Sequence, residues 1–145
     1  MLLEIELVPK TSFFNNVRSV ITDSQWDIIR KKCYKKANHI CEICGGKGDK
    51  WPVECHEVWQ YDDTNHIQKL IGFIALCPNC HKVKHYGYAT ITNNAELVFN
   101  YFIKINNINK EEAIKYIDNV FELWKLRSKY NWEVNIDFLD KYMET

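Results

Sequence analysis

The sequence predicts an α+β fold, a small strand–strand–helix core with helices on either side, and three observations point there. Two C-x₂-C pairs, Cys41/Cys44 and Cys77/Cys80, bracket a central segment. Between them lie two runs rich in β-branched and aromatic residues, 53–59 and 67–76. Helical periodicity appears before the first pair and after the second. A chain of 145 residues is long enough to bury a sizeable core. The division expected is an N-terminal arm and helix over 1–40, a core over 41–87, and a C-terminal helical extension over 88–145 packed on that core, all within one domain.

The elements follow in order. Residues 3–8 alternate like a short strand that Pro9 ends, and 11–20 form an ordered arm. Thr22 and Gln25 have capping-box spacing, so a helix should run to about Ala37 with Trp26, Ile29, Cys33 and Ala37 inward. Gly45, Gly46 and Gly48 mark a turn after the first cysteine pair. Two strands follow, the second interrupted at Gly72. Pro78 opens a helix that Gly87 stops near His85 or Tyr86. Asn93 and Asn109, each with an acidic residue three positions on, are expected caps of two further helices. Residues 132–136 read as a closing strand.

Composition excludes several classes. Formal net charge is zero, so any nucleic-acid binding must rest on a local patch. No apolar run reaches membrane-spanning length, and the first residues lack a basic region followed by an apolar core. A cytoplasmic protein with no membrane partner is therefore expected. Six cysteines in that setting point to metal rather than disulfides. Cys41, Cys44, Cys77 and Cys80 have the spacing of a structural zinc site, since four thiolates can close a tetrahedron around a soft ion. Cys33, on the apolar face of the first long helix, reads as a core residue.

Histidines form a second constellation. His81 and His85, at i and i+4, share one helix face, a common way to hold a divalent metal. His56 lies on the first strand between Cys55 and Glu57. If the strands pair and the helix packs across them, His56 approaches the other two. Over residues 41–86 these features resemble the HNH endonucleases of the ββα-metal type with an added four-cysteine zinc site. The resemblance is carried by the two C-x₂-C pairs, by His56, and by the run from Ala75 to His81 with His85 four residues on.

The resemblance implies a metal-dependent endonuclease hydrolysing phosphodiester bonds in DNA. In that family a strand histidine is the general base, which carries over to His56. The helix metal positions carry over to His81 and His85, which would hold a divalent ion such as Mg, Mn, Ni or Zn. Two positions depart from the family pattern. Cys55 stands where a metal-binding Asp or His is usual, and Gly72 stands where an asparagine orients the base. A second register makes His56, His81 and His85 the ligands, with Glu57 or the metal's own activated water as base. Strand alternation puts Glu57 and His56 on opposite faces, so both reach one site only near a strand end or a bulge. The nucleic-acid contacts expected are Arg30, Lys31 and Lys35 on the first long helix, with Lys82 and Lys84 beside the histidines. The alternative is a catalytically inactive zinc module on the same scaffold that binds nucleic acid or a protein partner.

Overall fold

A computed structural model describes residues 1–144. The order is α1 (Val17–Val20), α2 (Asp23–Lys36), β1 (Glu54–Asp62), β2 (Ile67–Leu76), α3 (Pro78–Lys84), α4 (Tyr86–Ile91), α5 (Ala95–Asn106), α6 (Lys110–Arg127), β3 (Glu133–Asn135) and α7 (Phe138–Glu144). The fold class is α+β, with a small three-stranded sheet ordered β1-β2-β3. β1 and β2 pair antiparallel, and β3 adds in parallel to the start of β2.

Local chemistry explains most boundaries. The Thr22 hydroxyl accepts from the Gln25 N–H while the Gln25 side chain accepts from the Thr22 N–H, so the expected capping box starts α2. Ile29 and Cys33 are its buried residues. Asn109 caps α6 through the Glu112 N–H. The register of the hairpin shifts between Val58 and Trp59: Val58 faces Gly72, Trp59 faces Leu70, and Ile71 is the extra residue. Gly72 therefore lies beside a bulge and does not break the strand.

Other expectations are corrected. Residues 3–8 form no strand. Leu3 and Ile5 point inward as alternation suggests, but side chains of the C-terminal helices satisfy their backbone groups. The Leu3 N–H donates to Asn106 Oδ1 at 2.8 Å, Asn106 Nδ2 donates to the Leu3 carbonyl at 2.9 Å, and the Ile5 N–H donates to Tyr116 Oη at 3.1 Å. Asn93 does not cap α5. It adopts a left-handed conformation, φ 60°, and Asn94 takes the cap position. Gly87 does not end the helical region, because α4 continues through it. A Cβ at Gly87 would sit 3.1 Å from Leu7 Cδ2, so this glycine lets the N-terminal arm lie close against α4.

The core joins the sheet to the helices. α2 packs on the β1–β2 hairpin, and α5 packs on α3 and α4. Leu3, Ile29, Leu70, Leu76, Val83 and Phe102 are fully buried. Their burial contributes on the order of 2 kcal/mol each before entropy is counted. The arm is thus threaded between α3, α5 and α6, and Trp124 Nε1 fastens it further by donating to the Val8 carbonyl at 2.9 Å. Among the described residues no helix is long and apolar enough to cross a membrane.

Candidate metal centres

The four cysteines come together at the base of the hairpin. One sulfur from each of Cys41, Cys44, Cys77 and Cys80 lies within 4.8 Å of the others. Cys44 Sγ and Cys77 Sγ are 3.6 Å apart. A zinc–sulfur bond of about 2.3 Å gives a tetrahedral edge of about 3.8 Å, so the cluster can hold a metal ion such as zinc. The two knuckles are built alike. The Cys44 N–H points at Cys41 Sγ and the Cys80 N–H at Cys77 Sγ, each at 3.5 Å. Gly45 adopts φ 74°, which turns the first knuckle, and the Gly46 N–H points at Cys44 Sγ at 3.3 Å.

Surrounding groups act unequally on the four thiols. Burial opposes ionisation of Cys41, but N–H groups of Cys44, Cys77 and Ile43 outweigh it and lower the thiol to about 7. Burial pushes Cys77 and Cys80 upward. A bound cation would reverse that by stabilising their ionised form. Tyr101 of α5 brings its hydroxyl to 3.2 Å from Cys80 Sγ. Glu42 ties the first knuckle to β2: its N–H donates to the Ala75 carbonyl at 2.9 Å, and its carboxylate accepts from the Ala75 N–H at 2.6 Å.

The three histidines form a second cluster on the other side of α3. His56 on β1 meets His81 and His85, with one nitrogen from each within 4.8 Å of the others. Ring centroids are 5.2 Å apart for His56 and His81, 5.0 Å for His56 and His85, and 4.7 Å for His81 and His85. The Nε2 atoms of His81 and His85 face each other at 3.0 Å. Two nitrogens at that distance need either one proton or one cation between them. A tetrahedral zinc with Zn–N bonds of about 2.0–2.1 Å would space them by about 3.3 Å.

Two carboxylates stand behind the rings. Glu54 accepts from His81 Nδ1 at 3.0 Å, and Glu6 accepts from His56 Nε2 at 3.1 Å. Each fixes a ring and leaves the opposite nitrogen for other chemistry. Glu54 shares a face of β1 with His56, so strand alternation from His56 points to it. Glu6 comes from the arm, fifty residues away in sequence, and nothing local signals it. The arm is aimed by the Glu6 N–H, which donates to the Lys84 carbonyl at 3.2 Å. The second oxygen of Glu6 is buried without a partner. His85 keeps an open face to solvent while its ring packs against the other two. Desolvation of the ring among its neighbours, with the nearby charges of His56, His81 and Lys84, lowers its pKa to about 3. Burial, helped by His56 and opposed by Glu54, lowers His81 as well. Both rings are therefore neutral at pH 7, the form that binds metal.

The remaining expected site residues divide. Cys55 turns away from the histidines and hydrogen-bonds Cys33 of α2 in the core, where that contact and burial push its thiol upward. Glu57 is outside the histidine cluster, held by the Val17 N–H at the start of α1. Burial raises it to about 7, with Glu6 adding to the rise. The bulge carries its extra residue, Ile71, on β2 and so leaves the alternation of His56 and Glu57 on β1 intact. Glu57 still lines the same cleft of about 940 Å³ as Glu6 and the three histidines. Lys82 lines this cleft too, whereas Lys84 contributes its backbone carbonyl to the arm. Lys31 and Lys35 are exposed on α2, and Arg30 is paired with Asp27 at 2.8 Å.

No protein-family model, curated protein or solved structure matches this chain.

Proposed function

We propose that the chain is a metal-dependent HNH-type endonuclease that hydrolyses phosphodiester bonds in DNA, with one structural zinc on Cys41, Cys44, Cys77 and Cys80. The observation that carries the reading is the convergence of His56, His81 and His85 within 4.8 Å beside the four-cysteine cluster. β1 supplies His56, α3 with its two cap residues supplies Cys77, Cys80, His81 and His85, and the turn before β1 supplies Cys41 and Cys44.

His81 and His85 would hold the divalent ion, and Glu54 orients His81 for that task. Such an ion supplies Lewis-acid stabilisation of the charge that builds at phosphorus and on the departing 3′ oxygen. His56 takes a proton from the attacking water. The new bond forms between the water oxygen and phosphorus, and the bond to the 3′ oxygen breaks. Glu6 holds His56 in place and stabilises the imidazolium that results. Nothing in this assignment uses Cys55, so its departure from the family pattern does not bear on the reaction. Gly72 leaves the family's orienting asparagine absent, and Glu6 is the group that replaces its effect on the base.

A second assignment is favoured by the spacing itself. His56 is close enough to be a third ligand, and Glu57, raised to about 7, is poised to take the proton. Plasmid cleavage with Mg²⁺, Mn²⁺, Ni²⁺ or Zn²⁺ tests both. Wild type is expected to cut, His56→Ala to lose about 10²–10⁴-fold, and Glu57→Gln to stay within a few-fold. A large loss in Glu57→Gln would move the base to Glu57. No cutting by folded wild type with any of the four ions would overturn the nuclease reading.

A further inference from the structure

A second groove meets the histidine cleft. It encloses about 430 Å³ and is walled by Arg18, Trp26, Arg30, Tyr34, His39 and Trp51. Its floor reaches Glu54, Cys55 and His81, and these three with Arg18 and Trp26 also line the larger cleft. His81 therefore sits where two openings join.

We infer that this groove seats unpaired nucleotides of single-stranded DNA, with the strand running past His81 toward the larger cleft. The placement of the strand rests on the nuclease reading; the binding itself does not. Three observations carry the inference. Trp51 is 49% exposed at the wall, so a broad aromatic face is open to a base. Its loop is firmly set: the Gly48 N–H donates to the Pro52 carbonyl at 3.0 Å, and a Cβ at Gly48 would lie 2.3 Å from the Trp51 carbonyl oxygen and 2.7 Å from Pro78. Next, two guanidinium groups line the same groove. Arg18 lies 5.3 Å over the Trp26 ring, and Arg30 is held by Asp27. Finally, exposed aromatic side chains also line the larger cleft, with Phe13 60%, Phe14 80% and Tyr88 68% exposed.

Guanidinium groups interleaved with open aromatic rings are the chemistry of single-strand binding. Stacking needs the face of a base, which a duplex keeps inside its own stack. A duplex is gripped chiefly through phosphate contacts, whereas the Arg30 guanidinium in this groove is already paired with Asp27. The volume fits the scale of a nucleotide-sized ligand.

The test is fluorescence anisotropy of the zinc-loaded full chain, without added magnesium, on a labelled oligodeoxynucleotide presented as a single strand and as its duplex. The single strand is expected to bind about tenfold more tightly. Trp51→Ala should weaken it about tenfold, and Trp51→Phe should recover most of that, with melting unchanged in both. Equal or tighter duplex binding overturns the inference, as does an unchanged affinity in Trp51→Ala. Single-strand preference in a protein that fails to cut with any of the four ions would sink the nuclease reading and leave this binding site standing. Cutting by a protein that prefers duplex would do the opposite.

Discussion

The two clusters flank the same short helix and are built on opposite logics. The cysteine cluster is closed. Its sulfurs come in two local knuckles, and Cys41, Cys77 and Cys80 are buried. Backbone N–H groups point at its sulfurs, and a tyrosine hydroxyl covers Cys80. The histidine cluster is open. His85 faces solvent, a cleft of about 940 Å³ leads to it, and carboxylates from β1 and from a distant arm support its rings. A closed set of thiolates suits folding, whereas an open set of imidazoles with room beside it suits chemistry. The difference predicts that loss of one cluster costs the fold and loss of the other costs activity.

The largest effect should therefore come from the cysteines. Cys77→Ser removes one of the four sulfurs proposed to hold zinc, which is also the sulfur that caps α3. Structural zinc modules derive on the order of 10 kcal/mol from the metal. Cys77→Ser is expected to be unfolded by far-ultraviolet circular dichroism, and a strong chelator should lower the wild-type Tm by tens of degrees. A folded variant with an unshifted melt would break the comparison.

Next comes Glu6→Gln, which keeps the hydrogen-bond acceptor for His56 but removes the charge. Cleavage should fall by about tenfold while the Tm moves by only a few degrees, because burying the charge is itself unfavourable. An unchanged rate would make the Glu6–His56 contact purely structural.

The cysteines were legible in the sequence because C-x₂-C spacing acts within one turn of chain. The same holds for the capping box of α2 and the Asn109 cap of α6, whose partners lie three residues apart. The pairing of His81 with His85 was visible from helix geometry, and Glu54 was reachable from His56 by strand alternation. Glu6 was not. Its position depends on Asn106, Tyr116 and Lys84 holding the arm, and on Gly87 letting Leu7 approach α4. Such long-range contacts leave no periodic trace. The alternation over residues 3–8 is real, but the backbone partners of Leu3 and Ile5 are helix side chains, so no strand forms. Asn93 failed as a cap because a left-handed residue was needed there to redirect the chain into α5.

A smaller effect separates Cys55 from both clusters. Cys55→Ser should cost about 1–2 kcal/mol in urea unfolding by placing a hydroxyl beside Cys33 in the core, with metal content unchanged. Loss of an ion in this variant would restore Cys55 as a ligand.

The smallest effect lies outside both regions. Arg127 donates to both oxygens of Asp63, at 2.8 and 2.9 Å, tying the hairpin loop to the end of α6. The Arg127 guanidinium holds the Asp63 carboxyl below its ordinary 3.8. A depressed carboxylate stabilises the fold above that ordinary value, and the contribution fades as pH falls through the lower, folded-state one. Asp63→Asn should cost about 0.5 kcal/mol at pH 7 and nothing at the acid end, read from Tm against pH. A variant whose deficit persists unchanged in acid would assign the loss to packing.

Metal content after dialysis tests the central division most directly. Wild type incubated with nickel and zinc is expected to carry two ions per chain by elemental analysis. One should be retained through dialysis, and one should exchange and be lost selectively in His81→Ala while the melt is preserved. A single ion in wild type, or two ions lost together in His81→Ala, would contradict the account of one clasp for the fold and one open site for chemistry.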